Sequence, residues 1–286
     1  MKILIAKTAG FCFGVKRAIK MAYRAASSTQ SGKKIYTLGP LIHNPQVVKE
    51  LEKSGVLVAD SLNDIDEGPL IIRSHGVTSS EMENAKAKKL KVIDATCPFV
   101  KKAQEYVRFL SQEGYHVVIV GEKAHPEVKG LVSYAVDKYV TVATCSGDID
   151  TLPKTKKVGI VVQTTQPLSN LQSVVSFLID KIEEVRVFNT ICSATSIRQK
   201  EAVELAAKAD CMIVVGGYNS ANTNRLAEIC REILKNTHHI EVADEIRVKW
   251  LNGVNRVAVT GGASTPPWIM EAVCEKVKEL GVIKKC

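Results

Sequence analysis

Aromatic residues make up only 5% of this 286-residue chain, too few for the base-stacking platforms of single-strand nucleic-acid binders. Arginine is not gathered into a stripe. The net charge of +9 comes instead from lysines spread over helix faces, as in KAKKLK and KTKK. That distribution argues against nucleic acid and suits an anionic small substrate or an acidic electron-transfer partner. No apolar run reaches the roughly 18 residues of a membrane span, so no membrane segment is expected. The start, MKILIAKTAG, runs straight into a strand-like stretch and lacks a signal-peptide layout. None of the 8 cysteines forms a close pair, which disfavours both a disulfide framework and structural zinc. A reducing, cytoplasmic setting is the expectation.

What is present is a repeat. Cys12 lies in ILIAKTAGFCFGVKRAI, Cys97 in KVIDATCPFVKKAQEYV and Cys192 in VFNTICSATSIRQKEAV. Each time an apolar run ends in a small polar loop, the thiol follows, and an amphipathic helix begins. The other segments recur in step: KIYTLG, HVVIVG and CMIVVGG, then VLVAD, YVTVAT and HIEVAD, then LIIRSHG, GIVVQTT and VAVTGGAS. Short Val- and Ile-rich strands alternating with helices predict an α/β fold with parallel or mixed sheets. The expectation is three pseudo-repeated α/β modules in a trefoil around a central site. Their bounds are 13–97, 98–192 and 193–286, the last completed by the N-terminal strand 1–12.

In such sheets ligands gather at loops beyond the strand carboxyl ends. The second loop of each module carries His43, His125 or Ser220. The fourth-strand loop carries His75, Thr164 with Thr165, or Ser264. Recurrence at matched offsets sets these residues apart from incidental loop histidines, whereas His116, His238 and His239 match no repeated position. Cys145, Cys211, Cys230 and Cys274 are expected to be small buried hydrophobes, and Cys286 a spectator in a polar tail. Cys12, Cys97 and Cys192 stand instead at strand exits beside helix N-termini, a setting that favours thiolate ligands. Three distant thiolates on one cluster leave one iron without a protein ligand.

The motifs GFCFGVKRAI, IHNPQVV, SHGV, DATCPFV, HPEVKG, QTTQ, ICSAT, NSANTNRLAE and GGAS, in this order and nearly end to end, resemble the 4-hydroxy-3-methylbut-2-enyl diphosphate reductase family. The resemblance implies reductive removal of an allylic hydroxyl with two electrons and two protons, the last step of the methylerythritol phosphate route to isopentenyl and dimethylallyl diphosphates. It implies one 4Fe–4S cluster on Cys12, Cys97 and Cys192 with an open fourth iron, and ferredoxin or flavodoxin as electron donor. His43, His75, His125, Ser220, Asn222 and Ser264 would cradle the substrate diphosphate, and Glu127 would deliver protons. One or both of Thr164 and Thr165 would hold Glu127 and the substrate hydroxyl; spacing does not choose between them. Ala221 departs from the family pattern, which often has serine there, and leaves a backbone amide in place of a hydroxyl.

Two rival functions remain on sequence grounds. A non-redox hydro-lyase would use the same open iron without an electron donor. A non-catalytic anion-binding protein would use the cysteines only for packing.

Overall fold

The computed structural model describes residues 1–29, 34–137, 139–149 and 152–282, so Cys286 lies outside the described residues. The chain opens with strand β1 (Lys2–Ile5) and helix α1 (Phe13–Ser28). A first round follows as β2 (Ile35–Leu38), α2 (Pro45–Lys53), β3 (Val56–Ala59), β4 (Pro69–Ile72), α3 (Ser79–Ala87) and β5 (Lys91–Asp94). The second round is α4 (Pro98–Gln112), β6 (His116–Val120), α5 (Pro126–Ser133), β7 (Val140–Ala143), β8 (Lys157–Val162), α6 (Leu168–Ile179) and β9 (Glu184–Phe188). The third is α7 (Ser193–Ala206), β10 (Cys211–Val215), α8 (Ala221–Ile233), β11 (Thr237–Ile240), β12 (Arg256–Gly261) and α9 (Pro267–Val282).

Among the described residues the strands form three four-stranded sheets, ordered β3-β2-β4-β5, β7-β6-β8-β9 and β11-β10-β12-β1. Every pairing is parallel. The protein is therefore α/β, with one sheet for each round. Strand β1 does for the third sheet what β5 and β9 do for the others, with Lys2 opposite Arg256 and Ile5 opposite Val259.

The third sheet shows why these sequences choose such layers. Side chains alternate across a strand, and β10 is apolar on both faces. Cys211, Ile213 and Val215 pack with Val257, Val259 and Ile269, Val273 and Val277 of α9. Met212 and Val214 face the other way, onto Ala202 and Ala206 of α7 and Leu226, Ala227 and Cys230 of α8. Burying each large aliphatic side chain contributes about 1.5–3 kcal/mol, so a strand apolar on both faces requires helices on both.

Two expectations need correction. The run HIEVAD is not all strand. Opposite Ile240 the partner strand β10 ends at Val215, and the Glu241 amide turns to the Glu245 carboxylate at 3.1 Å. With no partner strand left, residues Ala243–Glu245 coil into a single 3-10 turn. Cys145 is exposed rather than buried, because it lies in a turn whose Thr144 and Cys145 amides both donate to Asp148. Cys211, Cys230 and Cys274 are buried as expected. Burial pushes the Cys211 thiol up to about 11 and the Cys230 thiol up to about 12.

The chain gathers into two compact units. One comprises Met1–Val15, His43–Lys49 and the chain from Ser193 onward, and holds the β11-β10-β12-β1 sheet. The other comprises Lys16–Ile42 and Glu50–Cys192 and holds the remaining two sheets. Among the described residues no helix is long and apolar enough to cross a membrane.

Candidate functional site

The three loop cysteines are anchored alike. Each backbone amide donates to a carbonyl in the loop that ends the neighbouring strand: Cys12 to Ala263 at 3.0 Å, Cys97 to Ser74 at 2.9 Å and Cys192 to Thr164 at 3.0 Å. The residues that follow those carbonyls are Ser264, His75 and Thr165. Main-chain bonding thus aligns Thr165, rather than Thr164, with the other two polar tips. Helices α1, α4 and α7 begin at the residue after each cysteine. All three cysteines are half-buried, in contrast to the fully packed Cys211 and Cys230.

The first unit holds His43, Ser220, Asn222 and Ser264, and one main-chain contact joins His43 to Ser264 and Gly217. The His43 carbonyl accepts the Ser264 hydroxyl at 3.1 Å. It also lies so close to Gly217 that a Cβ there would stand 2.6 Å from it, so only glycine permits this approach. Asn44 follows, and its side-chain oxygen takes the Val47 amide at 3.0 Å, capping α2. Ser220 caps α8, its hydroxyl oxygen accepting from the Thr223 amide at 3.4 Å and the Thr223 hydroxyl at 3.0 Å. A hydroxyl that accepts twice keeps its own proton for a further acceptor. Asn222 is 5% exposed, and its amide nitrogen has no hydrogen-bond partner among the described residues. Left unmet, such a buried donor costs about 1–3 kcal/mol. Ala221, the first residue of α8, offers only its backbone N–H at a helix N-terminus.

The second unit holds His75, His125, Glu127, Thr164 and Thr165. The rings of His75 and His125 meet edge to face with centroids 5.8 Å apart. His125 caps α5 by accepting the Glu127 amide at Nδ1, 3.1 Å away. In the neutral ring that bond leaves the proton on Nε2, as a donor. Glu127 is 1% exposed. Its carboxylate accepts the Thr164 amide at 2.7 Å and the Thr164 hydroxyl at 2.9 Å. Burial pushes Glu127 up to about 7, against the lowering effect of the two Thr164 bonds. Thr165 is held differently: its oxygen accepts from the Gln163 side chain at 2.9 Å, while Gln163 accepts the Glu122 amide at 2.9 Å.

Gln163 and Asn44 are supporting residues that stand outside the repeated loop positions. Their signals in the sequence are the glutamine opening QTTQ and an Asn directly before Pro at a helix start. His116, His238 and His239 serve packing. His116 bonds Thr141 at 2.8 Å, His238 stacks on Trp250 at 3.8 Å, and His239 bonds the Gly216 carbonyl at 2.8 Å.

Among the described residues no three or more His, Cys, Asp or Glu side chains are grouped as a ready metal site. The donor chemistry of Cys12, Cys97 and Cys192 nevertheless fits an iron–sulfur group. Each is a soft, half-buried thiol pinned through its own amide at a helix N-terminus, and thiols are the usual ligands of such clusters.

The LytB protein family model matches residues 3–278. The 4-hydroxy-3-methylbut-2-enyl diphosphate reductase of Geotalea uraniireducens is 55% identical over 281 residues, covering 98% of each chain. That of Trichlorobacter lovleyi is 56% identical over 281 residues, covering 98% of this chain and 99% of its own. A solved structure of (E)-4-hydroxy-3-methyl-but-2-enyl diphosphate reductase, the terminal enzyme of the non-mevalonate pathway, is 47% identical. It covers 98% of this chain and 100% of its own, with a TM-score of 0.72. The structure of the corresponding reductase from Plasmodium falciparum is 31% identical and covers 96% of this chain and 87% of its own, with a TM-score of 0.90. By motif order, fold and full-length similarity, the chain belongs to the LytB protein family and is an oxidoreductase.

Proposed function

We propose that the protein removes the allylic hydroxyl of 4-hydroxy-3-methylbut-2-enyl diphosphate, the terminal step of the methylerythritol phosphate route. Two electrons and two protons enter, the carbon–oxygen bond breaks, and isopentenyl or dimethylallyl diphosphate and water leave. The observation that carries this reading is Glu127, a carboxyl buried against Thr164 and raised to about 7. A general acid works best when its pKa lies near the working pH.

Cys12, Cys97 and Cys192 would hold a 4Fe–4S cluster, leaving one iron without a protein ligand, and when bound the cluster would supply the electrons and a Lewis acid. The chain itself does the holding and the proton work. His43, His75, His125, Ser220, Asn222 and Ser264 hold the diphosphate by N–H and O–H donors, and the unmet Asn222 amide gains its acceptor there. Ala221 adds a backbone N–H at the α8 N-terminus, where anions are favoured.

Glu127 gives one proton to the departing hydroxyl and a second, after reprotonation, to the allyl carbon. The 2.9 Å contact with the Thr164 hydroxyl serves both states, since a hydroxyl donates to a carboxylate and accepts from a carboxylic acid. Thr165, braced by Gln163, holds the substrate hydroxyl. The loops belong to three modules, 13–97, 98–192 and 193–286 with 1–12. The setting is cytoplasmic and the electron donor is ferredoxin or flavodoxin.

Anaerobic turnover of the hydroxylated diphosphate with an artificial reductant tests the reading. Product formation that depends on the reductant is expected. Conversion without any reductant would point to the hydro-lyase instead.

A further inference from the structure

Helix α7 grips the turn before Cys12 with two side chains one helical turn apart. Arg198, only 3% exposed, donates from Nη2 to the Gly10 carbonyl at 3.0 Å and from Nη1 to the Gly261 carbonyl at 2.8 Å. Glu201 accepts the Lys7 amide at 2.7 Å and the Thr8 amide at 2.9 Å, and the Thr8 hydroxyl as well. The carboxylate therefore holds the N–H groups at the head of the turn, and the guanidinium holds the carbonyl at its tail. Gly10 sits at φ +97°, a conformation that glycine adopts without strain. The same guanidinium ties the Gly261 end of β12 to this turn. Cys12 and Ser264 thus hang from one buried cation.

A parallel arrangement serves Cys97 within the second unit. Arg17 of α1 donates to the Thr96 carbonyl at 3.0 Å and the Asp94 carbonyl at 3.4 Å. The loop before Cys192 is tied through a hydroxyl and an amide side chain. The Val162 amide bonds the Thr190 hydroxyl oxygen at 2.9 Å, and the Ile191 amide bonds Asn189 at 3.2 Å.

We infer that Arg198 and Glu201 are positioning residues for Cys12, fixing its loop and placing a buried positive charge beside it. The inference rests on the reading of Cys12 as a cluster ligand. A buried cation beside a cluster favours the reduced, more negative state, because net local charge and hydrogen bonding set such potentials. Removing the guanidinium should loosen one cysteine of the three and lower the midpoint potential. Lysine in its place keeps the charge but loses the fork that spans two carbonyls.

The experiment compares R198M, R198K and E201Q with the wild type, each as the full chain purified without air. After iron is stripped with a chelator, alkylation of Cys12 is timed by mass spectrometry against Cys97 and Cys192 in the same molecule. R198M should speed Cys12 relative to the other two by about fivefold or more, the effect of losing one or two hydrogen bonds from a local opening equilibrium. E201Q should do so less. In iron-loaded protein the midpoint potential should fall in R198M and be largely restored in R198K. Unchanged relative alkylation of Cys12 in both R198M and E201Q overturns the inference. If R198M does not fold, E201Q and R198K carry the same comparison. Wild-type protein that binds no iron or sulfide overturns the cofactor reading, while the alkylation ratio still decides the clamp.

Discussion

The polar loops of the two units stand alike beyond the ends of parallel strands, but the second unit also buries a carboxyl group, Glu127, among them. The first unit carries His43, Ser220, Asn222 and Ser264, side chains that can all donate hydrogen bonds. The second, around His125, adds Glu127, buried to 1% exposure and raised to about 7. Loops beyond parallel strands supply donors at little structural cost, because helix N-termini already present N–H groups there. A proton donor needs more. It needs burial to raise its pKa, and a partner such as Thr164 that tolerates both of its charge states. On the proposed reading the first set holds an anion, and the second moves a proton as well.

The largest expected effect comes from removing a proposed cluster ligand. Cys97→Ser should strip or destabilise the iron–sulfur group and abolish turnover, whereas Cys230→Ser, in a packed core position, should retain it. Iron and sulfide analysis of anaerobic protein checks this; equal iron content in the two variants would refute the assignment.

Next comes Glu127→Gln, which keeps shape but cannot donate an acidic proton. Turnover should drop by about 10²–10⁴-fold, with iron content and substrate affinity retained. Near-normal turnover would remove the distinction between the two sets.

The pH profile sharpens the same point. Glu127 must be protonated to act, so turnover should fall as pH rises through about 7, and this limb should disappear in the Gln variant. The stability sign follows from linkage. A carboxyl raised from 4.5 to about 7 on folding binds its proton more tightly in the native state. Its contribution is complete below 4.5 and declines as pH rises toward 7. Melting curves of wild type and Glu127→Gln should therefore diverge across that window in favour of the variant.

Changes around His43 should be smaller and confined to binding. His43→Asn should weaken the diphosphate by about 1.5–3 kcal/mol, the worth of a charge-assisted bond, without changing iron content. Gly217→Ala should act in the same direction by displacing the His43 carbonyl, which lies 2.6 Å from the added Cβ position. Isothermal titration with the diphosphate measures both, and unaltered binding in His43→Asn would return that histidine to an ordinary loop role.

Much of this was legible along the chain. The strand–loop–thiol–helix repeat follows from local periodicity, and periodicity is a property of neighbours in sequence. The loop tips were legible for the same reason, since they recur at matched offsets. Less visible was the end of β11, which depends on where its partner β10 stops. The exposed turn at Cys145 was hidden too, because a capping carboxylate three residues away sets it.

The linear order of residues was enough to establish three rounds of α/β structure, the recurrent cysteines and the family they mark. It could not choose between Thr164 and Thr165 as the partner of Glu127, nor show that Gln163 braces Thr165, nor that Arg198 reaches the Gly10 carbonyl 188 residues away. Those are contacts between distant segments, made only once strands have paired and helices have covered them. A hydrogen bond needs atoms within about 3 Å, and only packing brings such remote parts of a chain that close. The pKa of Glu127 belongs to the same class, because burial that raises a carboxyl comes from residues folded around it.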